Sequence, residues 1–303
     1  MIAFGLSIVE SEPYRRFSGP GLRRVTEPDS EEYAFASVGL TSRTYNLILD
    51  EAARRHDLEA LVLVDPYVEL RDPQLCAKVR QLVADPEVAV AGCVGSTGAR
   101  SLAWWRGQVR SGAIRHHYYE HGEGELDGLS WTRAERGTGE VDVVDGGLMV
   151  LSPWAVRNVR FDEALVHGFG FDVDYCLQVR EAGRRVVVAD LALARHSKLD
   201  FLEKPEIWVE AHIQLARKWE GRWPGAEPDE RDWKERARRA EAEREAARAE
   251  AVSGELLVDA RVEQLEKELE EATGSLPWRL TEPLRRLNKV RGDATARRRA
   301  SRG

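Results

Sequence analysis

Two short stretches put carboxylates where ligand chemistry is done. Asp65 directly follows the apolar run Leu61-Val62-Leu63-Val64 and precedes Pro66. Open parallel sheets bind ligands beyond the carboxyl ends of their strands, so this carboxylate suits a ribose hydroxyl or a metal ion. It equally suits the opening of an Asp-Pro turn. The second stretch is Gly168-Phe169-Gly170-Phe171-Asp172-Val173-Asp174. It sets two acids two residues apart at a helix start, beside backbone N–H groups that lack helical partners. The pair fits a reactive site, and either acid fits a plain helix cap. The third glycine of a dinucleotide fingerprint is absent.

Other residues are weaker signals. Asp145-Gly146-Gly147 is either a place where a ligand approaches the backbone or a tight bend. Glu10, Ser96 and His196 also follow apolar runs. A lone histidine such as His196 is a ligand or a structural group. The run His116-His117-Tyr118-Tyr119-Glu120-His121 lacks the i, i+4 histidine pair of a zinc helix and reads as a polar loop. Trp104-Trp105 suits stacking on a sugar or base, and equally core or lid packing. No Ser-His-Asp or Cys-His arrangement has a local signature.

The elements that must position these residues alternate between strand and helix. Strands are expected at Ile2–Val9, Glu32–Val38, Leu58–Val64, Glu87–Val94, Val141–Leu151, Arg185–Ala189 and Leu191–His196. Helices are expected at Ser42–Arg55, after Asp72-Pro73, after the cap Ser152-Pro153, and over Phe171–Ala182 with a stop at Gly183. Residues 99–140 read as a long irregular loop. Such alternation favours a mostly parallel sheet with helices on both faces.

Composition excludes several classes. The 303 residues carry a net charge of −7, which argues against a nucleic-acid binder. No run of 18 or more apolar residues suggests a membrane span, and the first residues lack the cationic start of a secretory signal. Three cysteines without zinc spacing read as reduced, buried thiols.

Near residue 220 the character changes. Asp229–Glu250 is almost entirely Glu, Arg and Ala, a strong helix former with little to bury. Val258, Val262, Leu265, Leu269 and Ala272 then alternate in steps of four and three. That pattern is either a short coiled-coil seam or one face of a docked helix. Residues 275–303 carry nine basic and two acidic residues, with Trp278, Leu280, Leu284 and Leu287 as an apolar stripe. This tail either lies on anionic lipid or is disordered. The expected organisation is a domain over 1–219, a charged helical segment over 220–274 and a basic tail over 275–303.

Taken in order, the motifs from Ile2 to Lys198 resemble glycosyltransferases of the GT-A fold, in particular the family-two-like bacterial group. Thr44-Tyr45-Asn46 is similar to its "aYN" segment, and LVLVDPYVEL (61–70) to its strand ending in DxD. VAVAGCVGS (88–96), AWWRG (103–107) and VVDGGLMVLS (143–152) follow. FGFDVDYCLQ is similar to its "EDxDxxlR" helix start, and RHS (195–197) to its terminal motif. The segment WRLTEPLR resembles tails found after coiled coils in cell-surface polysaccharide transferases.

The resemblance implies a GT-A (Rossmann-like) α/β fold with a C-terminal helical or coiled-coil extension. It implies an inverting hexosyltransferase-like enzyme of polysaccharide biosynthesis, with a nucleotide-diphosphate-sugar donor and a glycan or lipid-linked acceptor. A divalent metal, Mg²⁺ or Mn²⁺, would stabilise the leaving diphosphate. Asp172 takes the base position, with Asp174 as its companion and fallback. Asp65 and His196 would hold the metal. Glu10, Arg43, Asn46, Asp65, Tyr67, Gly146 and Gly147 would line the nucleotide sugar. Two departures stand out: Tyr67 occupies the position of the second DxD acid, and Phe171 replaces the Glu of the "ED" pair. They leave open a catalytically degenerate fold that acts as a binding or scaffold subunit. The expected location is cytoplasmic, peripheral to the inner face of the cell membrane, with self-association through the C-terminal helix.

Overall fold

The apolar runs Ile2–Ile8, Ala60–Val64 and Val88–Gly92 are buried almost throughout, as strands covered on both faces must be. The computed structural model describes residues 1–37, 40–119, 125–130, 138–165, 168–197, 205–223, 249, 253, 257–271 and 273–274, with backbone alone at 115–119, 125–130, 197 and 205. The stretch from 224 to 248 and the tail 275–303 therefore lie outside the described residues, as do Glu120 and His121.

In chain order the strands are β1 (Ile2–Ile8), β2 (Glu31–Ala36), β3 (Ala60–Val64), β4 (Val68–Leu70), β5 (Val88–Gly92), β6 (Val94–Thr97), β7 (Val109–Gly112), β8 (Arg115–Tyr119), β9 (Glu125–Ser130), β10 (Gly139–Val141), β11 (Val143–Val144), β12 (Leu148–Leu151), β13 (Arg185–Val188) and β14 (Leu193–Ser197). The helices are α1 (Ser11–Pro13), α2 (Gly19–Val25), α3 (Thr41–Ala53), α4 (Leu75–Val83), α5 (Pro153–Asn158), α6 (Phe171–Glu181) and α7 (Pro205–Lys218), with a π turn at Tyr14–Ser18.

A seven-stranded sheet in the order β10-β13-β5-β12-β3-β1-β2 forms the centre. β1 pairs parallel with β2 and β3, and β5 with β13. β12 lies antiparallel between β3 and β5, so both of those strands run the same way. Five of the seven strands thus share one direction, and β10 and β12 oppose it. This is the mostly parallel α/β sheet that the alternation of strands and helices favours. α3 packs on β1 and β2, α4 on β3 and β5, and α6 on β11 and β13.

Three regions differ from the sequence expectation. Residues 99–140 contain a 3-10 turn at Trp104–Arg106 and strands β7, β8 and β9. β7 pairs with β6 and β8 with β9 and β14, and none of the three carries an unbroken apolar run that marks a strand in the sequence. The single strand expected at Val141–Leu151 falls in three strands, broken at Asp142 and at Asp145-Gly146-Gly147. A helical run also fills Ser11–Val25, where Gly19-Pro20-Gly21 looks like a breaker. Pro20 sits in the first turn of α2, where its missing N–H costs nothing, and a methyl carbon at Gly21 would lie 2.8 Å from the Leu70 nitrogen.

The chain divides into two units, Met1–Leu256 and Leu257–Gly303. Trp219 belongs to the core of the first, 1% exposed. In the second, residues 257–271 are helical, with Val258, Val262, Leu265 and Leu269 exposed. No helix among the described residues is long and apolar enough to cross a membrane.

Candidate active site

The site forms where the carboxyl end of β3 meets the entry to β12. Asp65 follows β3 and Gly147 precedes β12. Asp65 N–H donates to the Gly147 carbonyl at 3.0 Å. The Tyr67 N–H closes an Asx turn on Asp65 Oδ1 at 2.8 Å. The turn reading and the ligand reading of Asp65 are therefore compatible, because Oδ2 faces outward to Arg195, 3.7 Å away.

Asp145 organises the next layer. Its Oδ1 accepts from the Gly147 N–H at 2.8 Å and its Oδ2 from the buried Trp104 indole N–H at 3.2 Å. Arg195 Nη1 donates to both oxygens at 3.2 Å. Arg195 is thus held by charge-assisted bonds to Asp145, with Asp65 as a looser ion-pair partner at 3.7 Å.

Asp172 opens α6 and turns toward the same place. Its Oδ2 accepts from the Gly146 N–H and its Oδ1 from the Val173 N–H, each at 2.8 Å. Desolvation and the nearby Asp145 charge push its pKa up to about 6, while the two N–H groups and Arg195 pull it back. Burial also raises Asp65 above the usual carboxylate range, against the pull of Arg195.

The two glycines are explained by these contacts. A methyl carbon at Gly146 would lie 2.7 Å from Phe171 Cζ and 3.1 Å from Asp172 Cβ and Oδ2. One at Gly147 would lie 2.8 Å from Asp145 Oδ1. What comes close to this backbone is the Phe171 ring and the carboxylates of Asp172 and Asp145.

Asp65, Gly146, Gly147 and Asp172 therefore share one site, and the remaining candidates sit elsewhere or serve differently. Asp174 is two residues beyond Asp172, about 200° round the helix. It is fully buried and accepts from the Trp219 indole N–H at 2.8 Å, Lys218 Nζ at 2.7 Å and Gln178 Nε2 at 2.8 Å. Burial raises its pKa, opposed chiefly by Lys218. Asn46 spends its amide on the Phe161 backbone, donating to the carbonyl and accepting from the N–H at 2.9 Å each, with a further bond to Glu163. Arg43 is exposed on α3. Glu10 and Tyr67 form a neighbouring pair at the ends of β1 and β3, with the phenol donating to Glu10 Oε2 at 3.5 Å.

The metal expectation does not fit these residues. Side chains alternate along a strand, so Arg195 and His196 leave β14 on opposite faces. Arg195 faces Asp65. His196 Nε2 lies 3.1 Å from Glu69 Oε2, and its ring stacks on Phe17 at 4.1 Å. Burial pushes Glu69 upward, but its bonds from Arg71 and His196 outweigh that and hold it below its ordinary pKa. Asp65 and His196 thus point at different partners, and Tyr67 supplies no acid. Among the described residues no group of three His, Cys, Asp or Glu side chains converges as a metal site.

Arg195, Asp145 and Trp104 were not singled out by sequence reasoning as site residues of this kind. The available signal was their place beside residues that were: Arg195 precedes His196, Asp145 precedes the glycine pair, and Trp104 begins the tryptophan doublet.

The chain is similar to several known proteins. The chain is 32% identical over 199 residues to the streptomycin biosynthesis protein StrF of Streptomyces griseus, a match that takes in 65% of this chain and spans 66% of that relative. Among solved structures, the mannosyltransferase PcManGT from Pyrobaculum calidifontis, in complex with GDP-Man and Mn²⁺, is similar at a TM-score of 0.45 and 13% identity, over 92% of this chain and 81% of that one. S. aureus TarS 1–349 in complex with UDP is similar at a TM-score of 0.44 and 10% identity, over 78% and 68%. Residues 27–219 match the family described as "Glycosyltransferase like family". That match covers more than half of the chain and, Glu10 apart, every candidate residue above, and the chain belongs to this glycosyltransferase-like family.

Proposed function

We propose that the protein is an inverting glycosyltransferase that moves a sugar from a nucleotide-diphosphate donor to a hydroxyl of a cell-surface glycan or lipid-linked acceptor. The observation that carries this reading is Asp172. Its carboxylate is fixed by two backbone N–H groups and has a pKa near 6. Such a group is ionised at neutral pH and still basic enough to take a proton from an attacking hydroxyl. In the step, the acceptor oxygen bonds to the anomeric carbon and its proton passes to Asp172. The bond from that carbon to the diphosphate oxygen breaks, and the nucleoside diphosphate leaves with the electron pair. One in-line displacement inverts the anomeric centre.

The leaving diphosphate gains negative charge. At Asp65 the described residues present the Arg195 guanidinium, a planar, permanently charged donor suited to phosphate oxygens. We assign the compensation of that charge to Arg195. The same reading puts the chain on the inner face of the cell membrane. The basic tail and the exposed apolar row of residues 257–271 support attachment there and pairing with a second copy.

A second reading, a binding or scaffold subunit without transfer, is favoured by Tyr67 in the second DxD position. Incubation with a panel of UDP-, GDP- and dTDP-sugars, with and without Mn²⁺, separates the two. Release of nucleoside diphosphate supports transfer. Binding of a nucleotide sugar with no release from any of them supports the second reading.

A further inference from the structure

An aromatic cluster lies beside Asp172 and has no part in the chemistry above. Trp104, 4% exposed, ties the cluster to the site through its bond to Asp145. Trp105 packs edge-on against it, with ring centres 5.7 Å apart. Trp105 then lies nearly parallel to Trp208 of α7, 6.1 Å between centres and 14° between planes. Phe169, three residues before Asp172, meets Trp208 edge-on at 5.0 Å.

The backbone is shaped to bring these rings together. Gly170 has φ +80°, and a methyl carbon there would lie 2.2 Å from Leu102 Cδ2. The segment holding Phe169 therefore presses onto the segment holding Trp104 and Trp105. Trp208 is anchored from the other side: α7 runs on to Lys218 and Trp219, which bind Asp174 of the base-bearing helix. Trp104 and Trp208 are buried, whereas Trp105 and Phe169 are only half-buried. Two aromatic side chains thus keep part of their surface open, one of them three residues before Asp172.

We infer that Trp105 and Phe169, backed by Trp208, form the subsite that holds the apolar face of a pyranose ring in the acceptor. The inference rests on the glycosyltransferase reading and adds the class of acceptor. Large rigid rings offer apolar area at little cost in conformational freedom, and the C–H face of a pyranose is the part of a sugar that such a surface recognises. Asp172 must face the acceptor hydroxyl, so a ring on this wall places its hydroxyls toward the base. The donor diphosphate is assigned to Asp65 and Arg195.

The test uses the full chain with ¹⁵N-labelled tryptophan indoles. The probes are methyl β-D-glucopyranoside, methyl β-D-galactopyranoside and methyl α-D-mannopyranoside, with glycerol as the control. The Trp105 and Trp208 indole signals, assigned with Trp105→Phe and Trp208→Phe, should shift saturably with at least one pyranoside and not with glycerol. Trp105→Ala and Phe169→Ala should each weaken that binding by about tenfold or more. Binding of UDP or GDP should stay within about twofold, which also shows that the variants are folded. Shifts confined to other tryptophans, no shift up to about 50 mM of every probe, or undiminished affinity in both alanine variants would overturn the subsite. Failure of the underlying reading looks different: pyranosides bind at Trp105, yet no sugar nucleotide is turned over. Turnover with no response at Trp105 removes the subsite alone.

Discussion

The Gly146 N–H donates to Asp172 Oδ2 at 2.8 Å, joining the bend before β12 to the first turn of α6. This bond aims a half-buried carboxylate across the carboxyl end of the parallel strands. It exists because residue 146 has no side chain to displace Phe171 and Asp172.

Gly146→Ala should therefore disturb the base more than the fold. Its added carbon meets the tip of the Phe171 ring at 2.7 Å and the Asp172 carboxylate at 3.1 Å, side chains that can shift. Turnover should fall by about tenfold to a hundredfold, with a loss of about 1–2 kcal/mol in urea unfolding. Full turnover in a folded variant would show that the bond does not position Asp172.

The rate should depend on the ionised form of Asp172. Activity should fall as pH drops through about 6, approaching tenfold per pH unit well below it. The folded pKa lies above the ordinary carboxylate value, so ionisation costs stability. This group's contribution is present at low pH and is lost as pH rises through about 6. A pH–rate profile with no acid limb between pH 5 and pH 7 would contradict the assignment.

Arg195 should matter more than added metal. Arg195→Gln should weaken nucleoside-diphosphate binding by about tenfold or more, while EDTA changes native binding by less than about threefold. Titration calorimetry with GDP and UDP reads both. Strict dependence on Mn²⁺ with an unaffected Arg195→Gln variant would reverse the assignment.

Asp174 should be structural. Asp174→Ala strands the buried Trp219 indole and leaves Lys218 with Asp162 as its remaining carboxylate, at a cost of about 1–3 kcal/mol. Trp219→Phe removes one bond to the carboxylate, at about 1–2 kcal/mol. Chemical denaturation measures both, and equal, negligible losses would show that the contact to α7 is idle.

Much of this site was legible in the residues. Asp65 and Asp172 could be placed because an apolar strand ends at one and a helix begins at the other. The resemblance puts Asp172 ahead of Asp174 as the base, whereas the residues alone do not separate two acids at i and i+2; the helix rotation and the bonds of Asp174 to Lys218 and Trp219 give the two different surroundings. Arg195 and His196 pose the same difficulty in a strand, where neighbours point to opposite faces and the pairing register decides which face is which. Strands β7, β8 and β9 escaped because they are short and carry no unbroken apolar run, and the Ser11–Val25 helices because Gly-Pro-Gly serves close packing there instead of a turn. The strands of the central sheet, by contrast, announced themselves through unbroken apolar runs.

The most direct measurement compares nucleoside-diphosphate release by the native chain and by Asp172→Asn with the same sugar nucleotide at neutral pH. The account predicts a fall of about a hundredfold or more with nucleotide affinity nearly unchanged. Equal release rates from the two proteins would contradict it.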